Sequence, residues 1–166
     1  MTDVQTALAI VERAMGYETE GREFYLKAAQ NTQDENGREM FRTLAEDEEK
    51  HYGLLKRQQA SLRDEGEWLE SPGTGPVKLD LKPSLFPGGK EALEKGITEK
   101  STDRDALLFG LEIENKSYYL YWSSADKLED PRGRQMFEYL AGQEQGHFNT
   151  LMMRYEGLFG PVAWGN

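Results

Sequence analysis

The chain contains no cysteine and only two histidines among its 166 residues. The first absence excludes disulfides, thiol peroxidase chemistry, cysteine-ligated iron–sulfur or rubredoxin iron, and thioether-attached haem. Any metal has to be held by oxygen and nitrogen. No stretch reaches the roughly 20 apolar residues of a membrane span, and the first residues do not read as a secretory signal. The expectation is a cytoplasmic protein without a membrane partner. Positive charge is also scarce: 20 Lys and Arg stand against 30 Asp and Glu, a net charge of −10. Such a surface repels phosphate backbones and favours cations, so no nucleic-acid partner is expected.

Regular patterning fails only over residues 66–100, where "GEWLESPGTGPVKLDLKPSLFPGG" is too rich in Pro and Gly for one element. A short helix near Lys90–Lys95 fits there. Elsewhere the chain is helical in period. Over residues 3–31, Val4, Leu8, Val11, Met15, Glu18, Tyr25 and Ala29 follow a three–four spacing, with Thr2 or Asp3 to cap the start. Phe41, Leu44, Glu48, His51, Leu55 and Leu62 repeat it over 34–65. "STDRDALL" supplies cap-like residues for a third helix, about 102–128. Pro131 suits the first turn of a fourth, about 131–157, which Gly157, Gly160 and Pro161 end. The predicted fold is all-α: one domain over 1–166, with a hairpin at 3–65, a crossover at 66–100, a hairpin at 101–158 and a tail at 159–166 that packs on the bundle or a partner. Two short turns and one long crossover, between helices 2 and 3, make a ferritin-like four-helix bundle.

The two halves match without a gap. A shift of 96 residues carries "EFYLKAA" onto "YLYWSSA", Glu18 onto Glu114, Tyr25 onto Tyr121, Glu48 onto Glu144 and His51 onto His147. This is an internal duplication of a helical hairpin. It also shows how the histidines are used. Each follows a glutamate by three positions, Glu48–His51 and Glu144–His147, so each pair shares a helix face and can grip one ion. Both pairs lie on apolar seams, as do Glu18 and Glu114. Four ionised glutamates in one core must protonate or be compensated. Two divalent cations balance four carboxylates, and neutral imidazoles add nitrogen donors. A Glu from each of two helices plus a Glu-x-x-His from each of the others is the donor set of di-iron and di-manganese bundles. The expected metal ligands are Glu18, Glu48, His51, Glu114, Glu144 and His147. Zinc can substitute, although structural zinc sites are usually richer in His or Cys.

Tyr25 and Tyr121 lie seven residues after Glu18 and Glu114, two turns along the same face. Their phenols either serve the site, by hydrogen-bonding a ligand carboxylate or lining an oxidant pocket, or are ordinary core. Phe24, Tyr118, Tyr119 and Trp122 read as packing. Gly21 and Gly146 each cost about 1 kcal/mol relative to Ala in a helix interior; close approach near the site would explain them, but they read first as sites of tight packing. Glu46, Asp47 and Glu49 read as a solvated face, with a cation-entry role as the alternative.

These stretches resemble the rubrerythrin family. "ETEGREFYLKAA" is similar to its first-helix motif, a ligand Glu with a Tyr seven later, and "LAEDEEKH" to its second. "EIENKSYYLYWSSA" and "LAGQEQGH" are similar to the third and fourth. The resemblance implies a di-iron site on the six residues named, and reduction of hydrogen peroxide or oxidation of ferrous iron by dioxygen. It also points to a homodimer, whose long connection would let helix pairs exchange between chains. Two departures matter. Full-length rubrerythrins carry a cysteine-ligated rubredoxin domain, which this chain cannot form, so turnover would need an external, rubredoxin-like electron donor protein. Many also have an extra glutamate one turn after the third-helix ligand, where this chain has Ser117. The leading expectation is a di-iron peroxidase; the alternatives are a ferroxidase or iron-handling protein, and a non-catalytic metal-binding bundle.

Overall fold

A computed structural model of the chain describes residues 3–73 and 101–161. They form four helices: α1 (Asp3–Asn31), α2 (Glu35–Asp64), α3 (Asp103–Ala125) and α4 (Pro131–Phe159). The short helix expected near Lys90–Lys95 and most of the tail lie outside the described residues.

Each helix starts where local chemistry allows. Asp34 caps α2 by accepting from the Gly37 amide at 2.8 Å, and Asp130 caps α4 by accepting from Arg132 N at 2.8 Å, with Pro131 following. Thr102 and Asp105 form a reciprocal capping box on α3. Gly157 does not end α4. The helix runs on to Phe159 and closes at Gly160, whose φ of 82° suits a residue without Cβ. The duplication is written into the turns as well. Arg38 Nε donates to the Thr32 carbonyl at 2.8 Å, and Arg134 Nε, 96 residues on, donates to the Leu128 carbonyl at 2.7 Å.

α1 packs along α2, and α3 along α4. The end of α1, the starts of α2 and α3 and the last turns of α4 meet around Thr32, Phe41, Leu107 and Arg154. At the other end Val4, Leu62, Trp68 and Leu128 come together. Helices α2 and α3 therefore run in the same direction, and the end of α2 and the start of α3 lie at opposite ends of the bundle. The first residues after α2 are anchored: Gln58 brackets Leu69 through both amide atoms, and Trp68 is buried edge-on to Phe137. This is the ferritin-like arrangement.

The packed seam of α1 differs from the expected one. Ala7 and Ala14 are buried, while Leu8 and Met15 sit at its margin. Small residues let the helices approach closely, and the longer side chains cover the edges. Two apolar clusters result. Val11, Leu55, Leu62, Trp68, Phe137 and Leu140 belong to one, and Phe24, Phe41, Leu44, Leu107, Leu111 and Leu151 to the other. Phe24, Tyr118 and Trp122 are buried packing residues. Among the described residues no helix is long and apolar enough to cross a membrane.

Candidate metal centre

Six charged or titratable side chains lie in the middle of the bundle. α1 contributes Glu18, α2 Glu48 and His51, α3 Glu114, and α4 Glu144 and His147; all are buried. Buried leucines of the same seams flank them: Leu44, Leu111 and Leu140 one turn before Glu48, Glu114 and Glu144, and Leu55 and Leu151 one turn after His51 and His147. The two imidazoles stack, with ring centroids 5.4 Å apart and planes tilted by 22°.

Their nitrogens and oxygens converge. His51 Nδ1 lies 3.3 Å from Glu18 Oε2 and 3.1 Å from Glu144 Oε1. His147 Nδ1 lies 3.0 Å from Glu48 Oε1, 3.6 Å from Glu114 Oε1 and 3.5 Å from Glu144 Oε2. Yet Glu18 Oε2, Glu48 Oε1, Glu114 Oε2, both Glu144 oxygens and both Nδ1 atoms have no hydrogen-bond partner. Seven buried polar atoms drawn together without hydrogen bonds cost far too much free energy unless something else satisfies them. A metal ion does so. With bonds of about 2.1 Å, neighbouring donors around one ion stand roughly 3.0–3.5 Å apart, close to the 3.0–3.6 Å seen here.

The donors divide into two overlapping groups, each within 4.8 Å: Glu18, Glu48, His51 and Glu144; and Glu48, Glu114, Glu144 and His147. Glu48 and Glu144 belong to both. Each Glu-x-x-His pair stays within one group, as its spacing implies, but each glutamate also serves the other group, and the carboxylate nearest each histidine comes from the opposite hairpin, Glu144 for His51 and Glu48 for His147. All six residues anticipated as ligands meet in one place, with the chemistry to hold two cations.

Both tyrosines reach the cluster, and each reaches across to the other half. Tyr25 OH donates to Glu114 Oε1, and Tyr121 OH donates to Glu18 Oε1. Each leaves the second oxygen, Oε2, buried without a hydrogen-bond partner. Burial, with the Glu114 and Glu18 carboxylates beside them, pushes both phenols well above the ordinary tyrosine range, so they remain donors.

In the metal-free protein, protons balance the charge. Burial and the neighbouring carboxylates push Glu48 and Glu114 up. Burial alone would also raise Glu144, but Glu114, His147 and His51 around it hold it well below the usual carboxylate range. Burial opposes the charged form of His51, yet Glu144 and Glu18 outweigh it and raise the imidazole to about 10. His147 is raised by Glu114, Glu144 and Glu48, again against burial.

The residue missed by sequence reasoning is Asp47. It does not belong to a purely solvated face: Oδ2 lies 3.3 Å from His147 Nε2, while Oδ1 accepts from Lys50 Nζ at 2.7 Å. Burial works against its charge, but Lys50 and His147 keep it ionised. It holds the outer nitrogen of an imidazole whose inner nitrogen faces the cluster. Glu46 and Glu49 are exposed, as expected. The glycines divide. A Cβ on Gly21 would lie 3.0 Å from Glu48 Oε2, whereas one on Gly146 would meet nothing within 4 Å, so packing does not account for Gly146.

A sequence profile of the rubrerythrin family matches residues 9–155. No curated protein matches the chain. Among solved structures, a hypothetical protein from Pyrococcus furiosus is similar at 23% identity and a TM-score of 0.65, over 92% of this chain and 89% of the other, a likeness of fold.

Proposed function

This chain belongs to the rubrerythrin family, and from that premise we propose that it is a di-iron carboxylate oxidoreductase that reduces hydrogen peroxide with electrons from a separate donor protein. The observation that carries the proposal is the convergence of seven unpartnered buried atoms into two donor groups sharing Glu48 and Glu144.

Glu18 and His51 would hold one iron, Glu114 and His147 the other, and Glu48 and Glu144 both. When bound there, two ferrous ions would supply the two electrons that, with two protons, reduce hydrogen peroxide to two waters. The protein's own groups set the conditions. Tyr25 and Tyr121 each hold one oxygen of Glu114 and Glu18, which fixes the orientation of these carboxylates. Asp47 orients His147 and favours electron donation through it. Flanking apolar clusters keep bulk water from the carboxylates, which strengthens every charge interaction inside. With no cysteine to carry an electron-transfer centre, re-reduction falls to a rubredoxin-like partner.

A second reading, ferrous oxidation by dioxygen, draws support from Asp47. Its side chain is 31% exposed and touches His147, so it offers cations a foothold between solvent and the cluster.

Protein purified without chelator and analysed for elements should hold about two irons per chain, as the two donor groups require. The anaerobically reduced protein should consume one peroxide per two irons, and faster than it reacts with dioxygen. Zinc alone, or no metal after ferrous loading, would overturn the proposal; faster reaction with dioxygen would transfer the assignment to ferroxidase.

A further inference from the structure

A groove of about 800 Å³ runs between α1 and α3, separate from the acidic edge around Asp47. Phe24, Leu26, Phe109 and Ile113 give it apolar walls, and its charged lining is balanced, with Lys27 and Lys116 against Glu20 and Glu23. Gly21 is also part of that lining. The same glycine sits against the cluster, since a Cβ there would come within 3.0 Å of Glu48 Oε2 and 3.5 Å of its carboxyl carbon. At this point a missing side chain brings the groove to one of the two shared carboxylates. The duplication places another small residue, the buried Ser117, at the matching position on α3.

We infer that this groove is the port through which a small oxidant of the hydrogen peroxide class reaches the centre, with Gly21 as its open inner end. The inference rests on the di-iron reading and adds a direction of approach. The walls suit an uncharged solute. The acidic edge of α2 suits cations, so oxidant and metal would enter from different sides. Closeness of Gly21 to Glu48 explains why the position carries no Cβ: alanine would press on the carboxylate and narrow the opening together. The helix cost of that glycine, about 1 kcal/mol, is thereby accounted for.

The test uses the absence of native cysteine. In Ile113→Cys and, separately, Lys116→Cys, the introduced thiol is the only one and can carry either a methylthio group or a bulky pyrene maleimide. Glu46→Cys, on the acidic edge, is the control. In the iron-loaded protein, oxidised to the ferric state, azide binding is followed by stopped flow through its charge-transfer band. The pyrene label in the groove should slow azide association by about tenfold or more relative to the methylthio group at the same position, with iron content and final band intensity unchanged, while the labelled control leaves the rate alone. A rate insensitive to the groove label, or equally sensitive to the control label, would overturn the port while leaving the di-iron assignment intact. Absence of iron and of any azide band would instead remove the di-iron reading, and the port with it.

Discussion

Asp47 and Gln143 occupy matching positions one residue before the shared glutamates, yet only one is a carboxylate. The duplicated site is therefore not electrically symmetric: His147 has an ionised partner on its outer nitrogen. Replacing Asp47 by Ala should weaken binding of the cation on the His147 side by about 10–100-fold and leave the fold intact. Cobalt titration would show it as a split into one tight and one weak step. Two equivalent tight steps in the variant would contradict the role. Why the six ligands were legible and Asp47 was not has a physical reason. A glutamate on an apolar seam is conspicuous because burying it alone is costly. Asp47 sits between Glu46 and Glu48 in a run of acids, and its meaning lies in a contact with a residue 100 positions away.

Helix boundaries were readable because they are set by local chemistry: Asp34, Thr102 and Asp130 announce their helices. The close approach of α1 to its neighbours through Ala7 and Ala14 was less readable, since pattern matching favours the larger Leu8 and Met15. Glycines show the same division, and substitution should separate them by sign. Gly133→Ala places a Cβ 2.6 Å from the Trp68 ring, which is itself packed on Phe137. The overpacking cost of about 1–3 kcal/mol should exceed the gain of about 1 kcal/mol in helix propensity, giving a less stable protein. Gly146→Ala meets open space, so the propensity gain of up to about 1 kcal/mol should appear undiminished. Urea unfolding of both variants at neutral pH checks the pair of signs.

At the scale of the molecule, the metal-free centre makes stability depend on pH. His51 is raised from 6.5 to about 10 in the fold. Its contribution is present below about 6.5 and is lost as pH rises toward about 10. The raised Glu48 and Glu114 act in the same sense, because the folded state binds more protons than the unfolded one. Thermal melts of the metal-free protein should therefore fall steadily between pH 6.5 and 10. Cations take over the neutralising role from protons, so the iron-loaded protein should lose less over that interval, and loading near neutrality should release protons into weak buffer. A flat profile for the metal-free protein would mean that the cluster does not hold these protons. The overall architecture was open to sequence reasoning because the repeat of 96 residues fixes two equivalent hairpins. How the hairpins mesh was not, because it depends on which carboxylate faces which ring.

That meshing bears on descent. Tyr25 serves Glu114 and Tyr121 serves Glu18, and the carboxylate nearest each histidine belongs to the other half. Neither hairpin owns a complete centre. A half-length ancestor with this sequence pattern could have assembled one only by pairing with its own copy. Fusion of two such genes would then have turned an encounter between molecules into a covalent certainty, and left the second copy free to change Asp47 into Gln143 without losing the first.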